Sequence, residues 1–226
     1  MLAAHRTVMA GRMLDDRILF SDGEAIVIDK PAGLPVTRTK RGGDCIEDRL
    51  EELRMGFARS PMIVHRLDQD TSGCLLLARN PKALKRFNRS FSEGLITKVY
   101  WAVLDGETDG EEGLIDIPLE KKSTRERGWW VEGSSRGKPA RTHWKRLITD
   151  GGKTLIEFRP ETGRTHQLRV HAQEGLGAPI MGDPVYANGK GPMLLHARSI
   201  GVPRQGKAAI EAEARVPDSF GDWTPG

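Results

Sequence analysis

HRLDQDTSGCLLLARN, residues 65–80, is the stretch whose reading decides the fold. It places one carboxylate, Asp68, at the mouth of a tight turn between two apolar runs, Pro61-Met62-Ile63-Val64 and Cys74-Leu75-Leu76-Leu77-Ala78. Short apolar runs bounded by turn residues read as buried strands, and Asp, Thr, Ser and Gly supply the side-chain hydrogen bonds and permissive backbone that a reversal needs. The pattern predicts a hairpin on which Asp68 is held still. Arg66, two residues earlier, is expected on the same strand as Asp68, with both side chains on one face.

Upstream, residues 18–29 (ILFSDGEAIVID) read as strand, Ser-Asp-Gly turn and strand, leading into the loop Lys30-Pro31-Ala32-Gly33. Asp44 and Glu47 have capping-box spacing for a short helix ending near Arg54, with Ile46, Leu50 and Leu53 on one face. Downstream, Asn80-Pro81 opens a helix that buries Leu84, Phe87 and Phe91 and ends at Gly94. Its other face carries Lys82, Lys85, Arg86 and Arg89, which suits a solvated face as well as one turned to RNA.

Thr97 to Leu104 alternates as a strand, with Lys98, Tyr100 and Ala102 on one side and Val99, Trp101 and Val103 on the other. The second set is expected to face the core, which leaves Tyr100 on a more polar face. Residues 105–137, with the doublet Trp129-Trp130, read as an irregular excursion containing a hairpin. Thr154–Arg159 reads as a strand, Arg164–Glu174 as a helix closed by Gly175, and Met193–Ile200 as a last core strand. Antiparallel hairpins with few helices, lacking regular βαβ alternation, predict an α+β domain on a mixed, mainly antiparallel sheet, with flanking helices and a cleft.

The 226 residues are 38% hydrophobic and 29% charged with 26 Gly and 13 Pro, a balance that excludes a disordered or fibrous chain. One domain over residues 1–226, with its core at about 14–220, is the expectation. The net charge of +4 permits a polyanionic partner without requiring one. Met1 to Gly11 is too short and broken for a signal peptide, and no run approaches a membrane span. Cys45 and Cys74 have no pairing spacing, so a reducing cytoplasmic location is expected.

Several chemistries find no motif. Gly133 to Pro139 (GSSRGKP) has the wrong spacing for a phosphate-cradling loop, there is no GxSxG elbow, and Ser72 reads as a turn hydroxyl. His166 and His171 are five apart, on different helix faces, which gives no support to a metal site. What remains is Asp68 with Arg66, and the dense stretch Thr162-Gly163-Arg164-Thr165-His166-Gln167-Leu168-Arg169-Val170-His171. Such crowding suits a nucleic-acid cleft or a polar network, while Asp68 alone reads equally as a turn cap.

Five segments in order, DKPAGLPV (29–36), HRLDQDTSGCLLLARN (65–80), KVYWAVLDG (98–106), TGRTHQLRVHAQEGLGAPIMGDPVY (162–186) and LLHA (194–197), resemble the RluA-type pseudouridine synthases. The resemblance spans about Leu14 to Phe220 and implies an RNA-modifying isomerase that turns uridine into pseudouridine in tRNA or rRNA, with no cofactor and no metal. It implies structured RNA as partner; many members carry an N-terminal S4 RNA-binding domain, and with only about a dozen residues ahead of the first strand none is expected here, so RNA recognition is expected from the catalytic domain, acting as a monomer. On this pattern Asp68 is the catalytic aspartate, Tyr100 stacks under the target base, and Arg164 pairs with the aspartate. Arg66 fills the RNA stack where the uridine leaves it, and Leu195 packs against the pocket.

Flipping the base has to be met by such stacking and filling. The Trp129-Trp130 segment and the tail after Phe220 match nothing in the pattern, and target choice is expected to reside in such segments. The competing reading is an RNA-binding or RNA-folding module whose catalysis is dispensable. A cofactor-free hydrolase using Asp68 and a histidine has no spacing in its favour.

Overall fold

The computed structural model describes residues 13–40, 42–126 and 128–225, so Met1–Gly11 lies outside the described residues. The strands, in chain order, are β1 (Ile18–Ser21), β2 (Ala25–Lys30), β3 (Met62–Ile63), β4 (Ser72–Ala78), β5 (Thr97–Leu104), β6 (Glu112–Asp116), β7 (Leu119–Thr124), β8 (Gly128–Gly133), β9 (Arg141–Asp150), β10 (Lys153–Pro160), β11 (Leu195–Val202) and β12 (Ile210–Glu213). The α-helices are α1 (Pro81–Ser92) and α2 (Gln167–Val170).

A ten-stranded sheet runs β1-β2-β4-β11-β5-β10-β9-β6, with β3 added to β4 and β12 to β11, while β7 and β8 form a separate two-stranded arm. Every pairing is antiparallel except β4 with β11, where Ser72 faces His196 and Gly73 faces Ala197. The expected α+β class with a mixed, mainly antiparallel sheet is therefore the observed one. No helix among the described residues is long and apolar enough to cross a membrane.

β2 and β4 read as near-continuous apolar runs because both faces of the sheet are covered there. Val27, Cys74 and Leu76 pack with Phe87 of α1 and Ile210 of β12 on one side. Ile26, Ile28, Leu75 and Leu77 pack with Ile46 and Leu53 on the other. Toward β5 and β10, Ala102, Ile156, Phe158 and Leu195 pack with Leu168 and Ala172.

Gly73 is where β4 and β11 meet, and its φ of +104° together with a built Cβ only 2.2 Å from the Ala197 carbonyl oxygen leaves room for glycine alone. This contact sets the loop that precedes β4 against the middle of the sheet.

α1 starts as predicted, with the Asn80 side chain accepting from Ala83 N at 2.9 Å, and Gly94 at φ +69° turns the chain after it. Of its basic residues, Arg86 pairs with Glu24 and Arg89 with Glu93, so two of the four have intramolecular partners.

Four expectations need correction. Ile46–Leu53 is a 3-10 helix that follows Cys45, which makes no side-chain cap, so the capping box at Asp44 does not form. Residues 64–71 form a loop, so Arg66 and Asp68 do not share a strand face. The helix expected over Arg164–Glu174 begins only at Gln167 and continues from His171 to Gly175 with π geometry. Tyr100 lies not on a polar face but between two apolar clusters, with Ala102 buried on the same side of β5. β9 and β12 had no counterpart in the sequence reading.

Candidate functional site

The Asp68 loop hangs between β3 and β4 and is fastened at several points. His65 accepts a hydrogen bond at Nε2 from Leu76 N at 2.9 Å, and its ring lies against Phe91. Burial, helped by Lys98, pulls this imidazole down to about 3 and keeps it the neutral acceptor that the bond requires. At the far end Thr71 N donates to Asp68 O at 3.2 Å.

Between them stands Lys30, fully buried at the end of β2, whose Nζ donates to the carbonyls of Pro31, Leu34 and Gln69 at 2.7, 2.8 and 2.9 Å. Burial pulls the ammonium down to about 7 against the opposing effect of Asp70, Asp68 and Asp29.

The loop opens onto a cleft of about 1090 Å³ lined by Asp68, Tyr100, Leu195 and the segment from Thr162 to Arg169, among others. β5 and β11 bring Tyr100 and Leu195 together, since Leu195 pairs with Ala102 and Ala197 with Tyr100, so all four share one face of the sheet. Burial first and the Asp68 charge second push the Tyr100 hydroxyl upward, so it stays a neutral ring near the carboxylate.

The Thr162–Arg164 turn is shaped by buried Gln167. Its Oε1 accepts from Arg164 N at 2.9 Å and Thr162 Oγ1 at 2.8 Å, and its Nε2 donates to Arg141 O and Thr142 Oγ1, both at 3.0 Å. His171, buried behind it, meets Thr142 Oγ1 through Nδ1 at 2.9 Å. The two histidines thus part company, as their spacing requires, and His166 alone faces the cleft.

The arginine at Asp68 is Arg169, not Arg164. Arg169 Nη1 donates to Asp68 Oδ2 at 3.2 Å, whereas Arg164 is exposed and its Nε donates to Pro139 O at 3.0 Å. The reason is helical placement: Arg169 lies inside α2 and is buried, while Arg164 precedes the helix in the turn.

Arg169 is itself gripped by Asp183, with Nε and Nη2 each 2.7 Å from a carboxylate oxygen. Burial alone would raise the Asp183 carboxyl; the Arg169 fork and the Val185 and Tyr186 amides overcome it and hold it low. Gly182, at φ +73°, comes so close to the Pro192 carbonyl that a built Cβ would lie 2.0 Å from its oxygen, which fixes the turn presenting Asp183.

His166 also approaches Asp68, with Nε2 3.9 Å from Oδ2. Its backbone adopts φ +55°, a left-handed conformation rare for a non-glycine residue. Its Nδ1 meets Tyr186 Oη at 2.9 Å, and its ring lies 4.9 Å from that of Trp129. Burial pulls the imidazole down to about 4, partly offset by Asp68, so it is neutral near pH 7. Both contacts to Asp68 fall on Oδ2, and among the described residues Oδ1 has none.

Such a carboxylate, charge-partnered on one oxygen and open on the other beside an aromatic ring, is equipped to attack or deprotonate a planar group laid on that ring. Arg66 is exposed at the rim of the cleft. The sequence pattern by itself assigns no role at the site to Lys30, Arg169 or Asp183. The signals available were the Gly-Asp-Pro turn at 182–184 and a second arginine five residues beyond Arg164.

A family model described as RNA pseudouridylate synthase matches residues 24–174. An uncharacterized RNA pseudouridine synthase of Zymomonas mobilis is 52% identical over 214 residues, covering 93% of this chain and 98% of that one. Ribosomal large subunit pseudouridine synthase C of Rickettsia felis is 36% identical over 222 residues, 95% of this chain and 72% of that one. The solved structure of human RNA pseudouridylate synthase domain containing 4 superposes with a TM-score of 0.78 at 28% identity, covering 92% of this chain and 91% of that chain.

Proposed function

The chain belongs to the RNA pseudouridylate synthase family and is an isomerase acting on RNA, and from that premise we propose that it converts a uridine of large-subunit ribosomal RNA to pseudouridine with Asp68 as the reacting carboxylate. The observation that carries this reading is the approach of Arg169 Nη1 to Asp68 Oδ2 at 3.2 Å in a cleft shared with Tyr100.

The isomerisation breaks the N1–C1′ bond, forms C5–C1′ and moves one proton from C5 to N1, so its atoms and electrons balance within the nucleoside. Asp68 acts through the oxygen that Arg169 leaves open. The flipped uracil lies on the ring of Tyr100, with Leu195 packed beside it. Arg66, exposed on the rim, occupies the gap left in the RNA stack, and Arg164 at the mouth of the cleft meets a phosphate. The pairing role that the resemblance implied for Arg164 passes to Arg169. Ribosomal RNA is favoured as substrate by the relative named as a large-subunit synthase.

The test is to incubate the protein with transcribed ribosomal RNA fragments and, in parallel, tRNA transcripts, then map pseudouridine by carbodiimide-blocked reverse transcription. Product in a ribosomal fragment, absent with Asp68→Asn, is the expected result. Equal product from Asp68→Asn removes the aspartate from the reaction, and product in tRNA alone removes the ribosomal assignment.

A further inference from the structure

The β7–β8 arm lies outside the sheet, yet it reaches the site. Register pairs Lys121 with Val131 and Ser123 with Trp129, so these four side chains share one face of the arm. That face is turned to the cleft wall: buried Val131 exchanges hydrogen bonds of 3.0 Å with Tyr186 Oη through both N and O, and Trp129 covers the ring of His166. The base of the arm is pinned as well, with Gly133 N donating to the Glu174 carboxylate at 3.0 Å. Trp130 points the other way, its Nε1 donating to Glu132 at 2.8 Å.

Trp129 is 47% exposed although it is the largest side-chain type and one side of it already meets His166. Lys121 Nζ sits 4.5 Å from its ring centroid. A flat indole backed by a rigid wall and attended by an ammonium has the two parts of a single-strand nucleic-acid contact, a stacking face and a phosphate charge. Base stacking on an indole is a stronger interaction than an exposed cation over the same ring, so an incoming base displaces Lys121 toward its phosphate.

We propose that Trp129 and Lys121 form a platform for a base of the RNA strand flanking the uridine that enters the cleft, and thereby add to the affinity for that strand. The inference rests on the reading of this site as one that acts on RNA. It assigns the arm to binding and Asp68 to chemistry, with His166 as the wall between them.

The experiment uses full-length Trp129→Ala, Trp129→Phe and Lys121→Ala, with transcribed large-subunit ribosomal RNA fragments as probe. Kd is read by filter binding, kcat and KM by tritium release from 5-tritiated uridine, and contact by cross-linking of 4-thiouridine-substituted RNA followed by peptide mapping. Trp129→Ala is expected to raise Kd and KM about tenfold, about 1.4 kcal/mol, with kcat within about twofold. Trp129→Phe retains most of the affinity. Lys121→Ala lowers the salt slope of log Kd by about one. Cross-links map to the peptide containing Trp129.

If Trp129 merely props His166, Trp129→Ala lowers kcat and leaves Kd unchanged, which overturns the platform, as do cross-links that avoid the arm. Wild-type protein that binds and cross-links at Trp129 but forms no pseudouridine supports the platform and refutes the proposed reaction. Pseudouridine formed with unchanged Kd and KM in the variants refutes the platform alone.

Discussion

The ammonium of Lys30 lies 2.9 Å from the backbone carbonyl of Gln69, the residue that directly follows Asp68. The same carbonyl accepts from Gly33 N at 2.9 Å, so the carboxylate is tied through its neighbour to the end of β2. Lys30→Met removes the three bonds of the ammonium, strands the Pro31 and Leu34 carbonyls, and leaves the Gln69 carbonyl with Gly33 N alone. Expected is a loss of about 3 kcal/mol of stability and a drop of roughly 10 °C in Tm. kcat falls more than KM rises, because Asp68 loses its fixed position. Thermal melts and steady-state kinetics on one preparation check both.

Arg164→Ala and Arg169→Lys separate the two arginines. Arg164 is exposed, so its loss is expected to raise KM a few-fold and spare kcat. Lysine at 169 cannot grip Asp183 with two parallel bonds while touching Asp68, and kcat falls by roughly 10²-fold. Arg169→Ala further strands the buried Asp183 and destabilises by about 3–5 kcal/mol. Comparable kcat losses at both positions would refute this division.

Acid is expected to weaken the fold through its histidines. His65 is held down to about 3, and His166 and His196 to about 4, in each case mainly by burial. Folded values below the ordinary 6.5 mean that the unfolded chain binds more protons. The stabilisation is nearly complete above about pH 6.5 and is lost as pH falls toward 4 and below, on the order of 2 kcal/mol per histidine by pH 5. Urea titrations at pH 7.5, 6 and 5 measure it, and His65→Gln should flatten the slope.

Gly73→Ala pushes a methyl group into the Ala197 carbonyl at an unfavourable φ. Wedging β4 from β11 is expected to cost about 3 kcal/mol or more and to displace the Asp68 loop with it. Loss of product without a fall in Tm would contradict the coupling.

The sequence exposed those parts of the fold in which local chemistry and tertiary role agree. β2 and β4 are apolar throughout because both faces are covered, and Asn80-Pro81 caps α1 because nothing competes for that turn. The hairpin that carries Asp68 followed from its flanking runs. β9 stayed hidden because RTHWKRLITD carries few inward apolar residues, Trp144 chief among them. Arg169 lost to Arg164 because the choice hangs on where α2 begins. That start is fixed by the Gln167 side chain closing the preceding turn and by His166 adopting φ +55°, neither of which leaves a mark in the pattern. Lys30 reads as a loop charge beside a proline, since satisfying its buried ammonium depends in part on a carbonyl contributed 39 residues away. Asp183 looked like a turn residue for the same reason.

The single parallel pairing in the sheet has a bearing on when the molecule becomes an enzyme. Ser72 meets His196 across 124 residues, and Asp68 meets Arg169 across 101. On a ribosome the loop bearing the carboxylate emerges long before its guanidinium partner, and the strand that carries Leu195 emerges later still. A nascent chain can therefore complete β1, β2 and α1 while its cleft still lacks a wall, and folding has to wait for closure of these distant contacts. Activity is in this way withheld during synthesis until the strand carrying Leu195 has joined the sheet, by the order in which its strands are made.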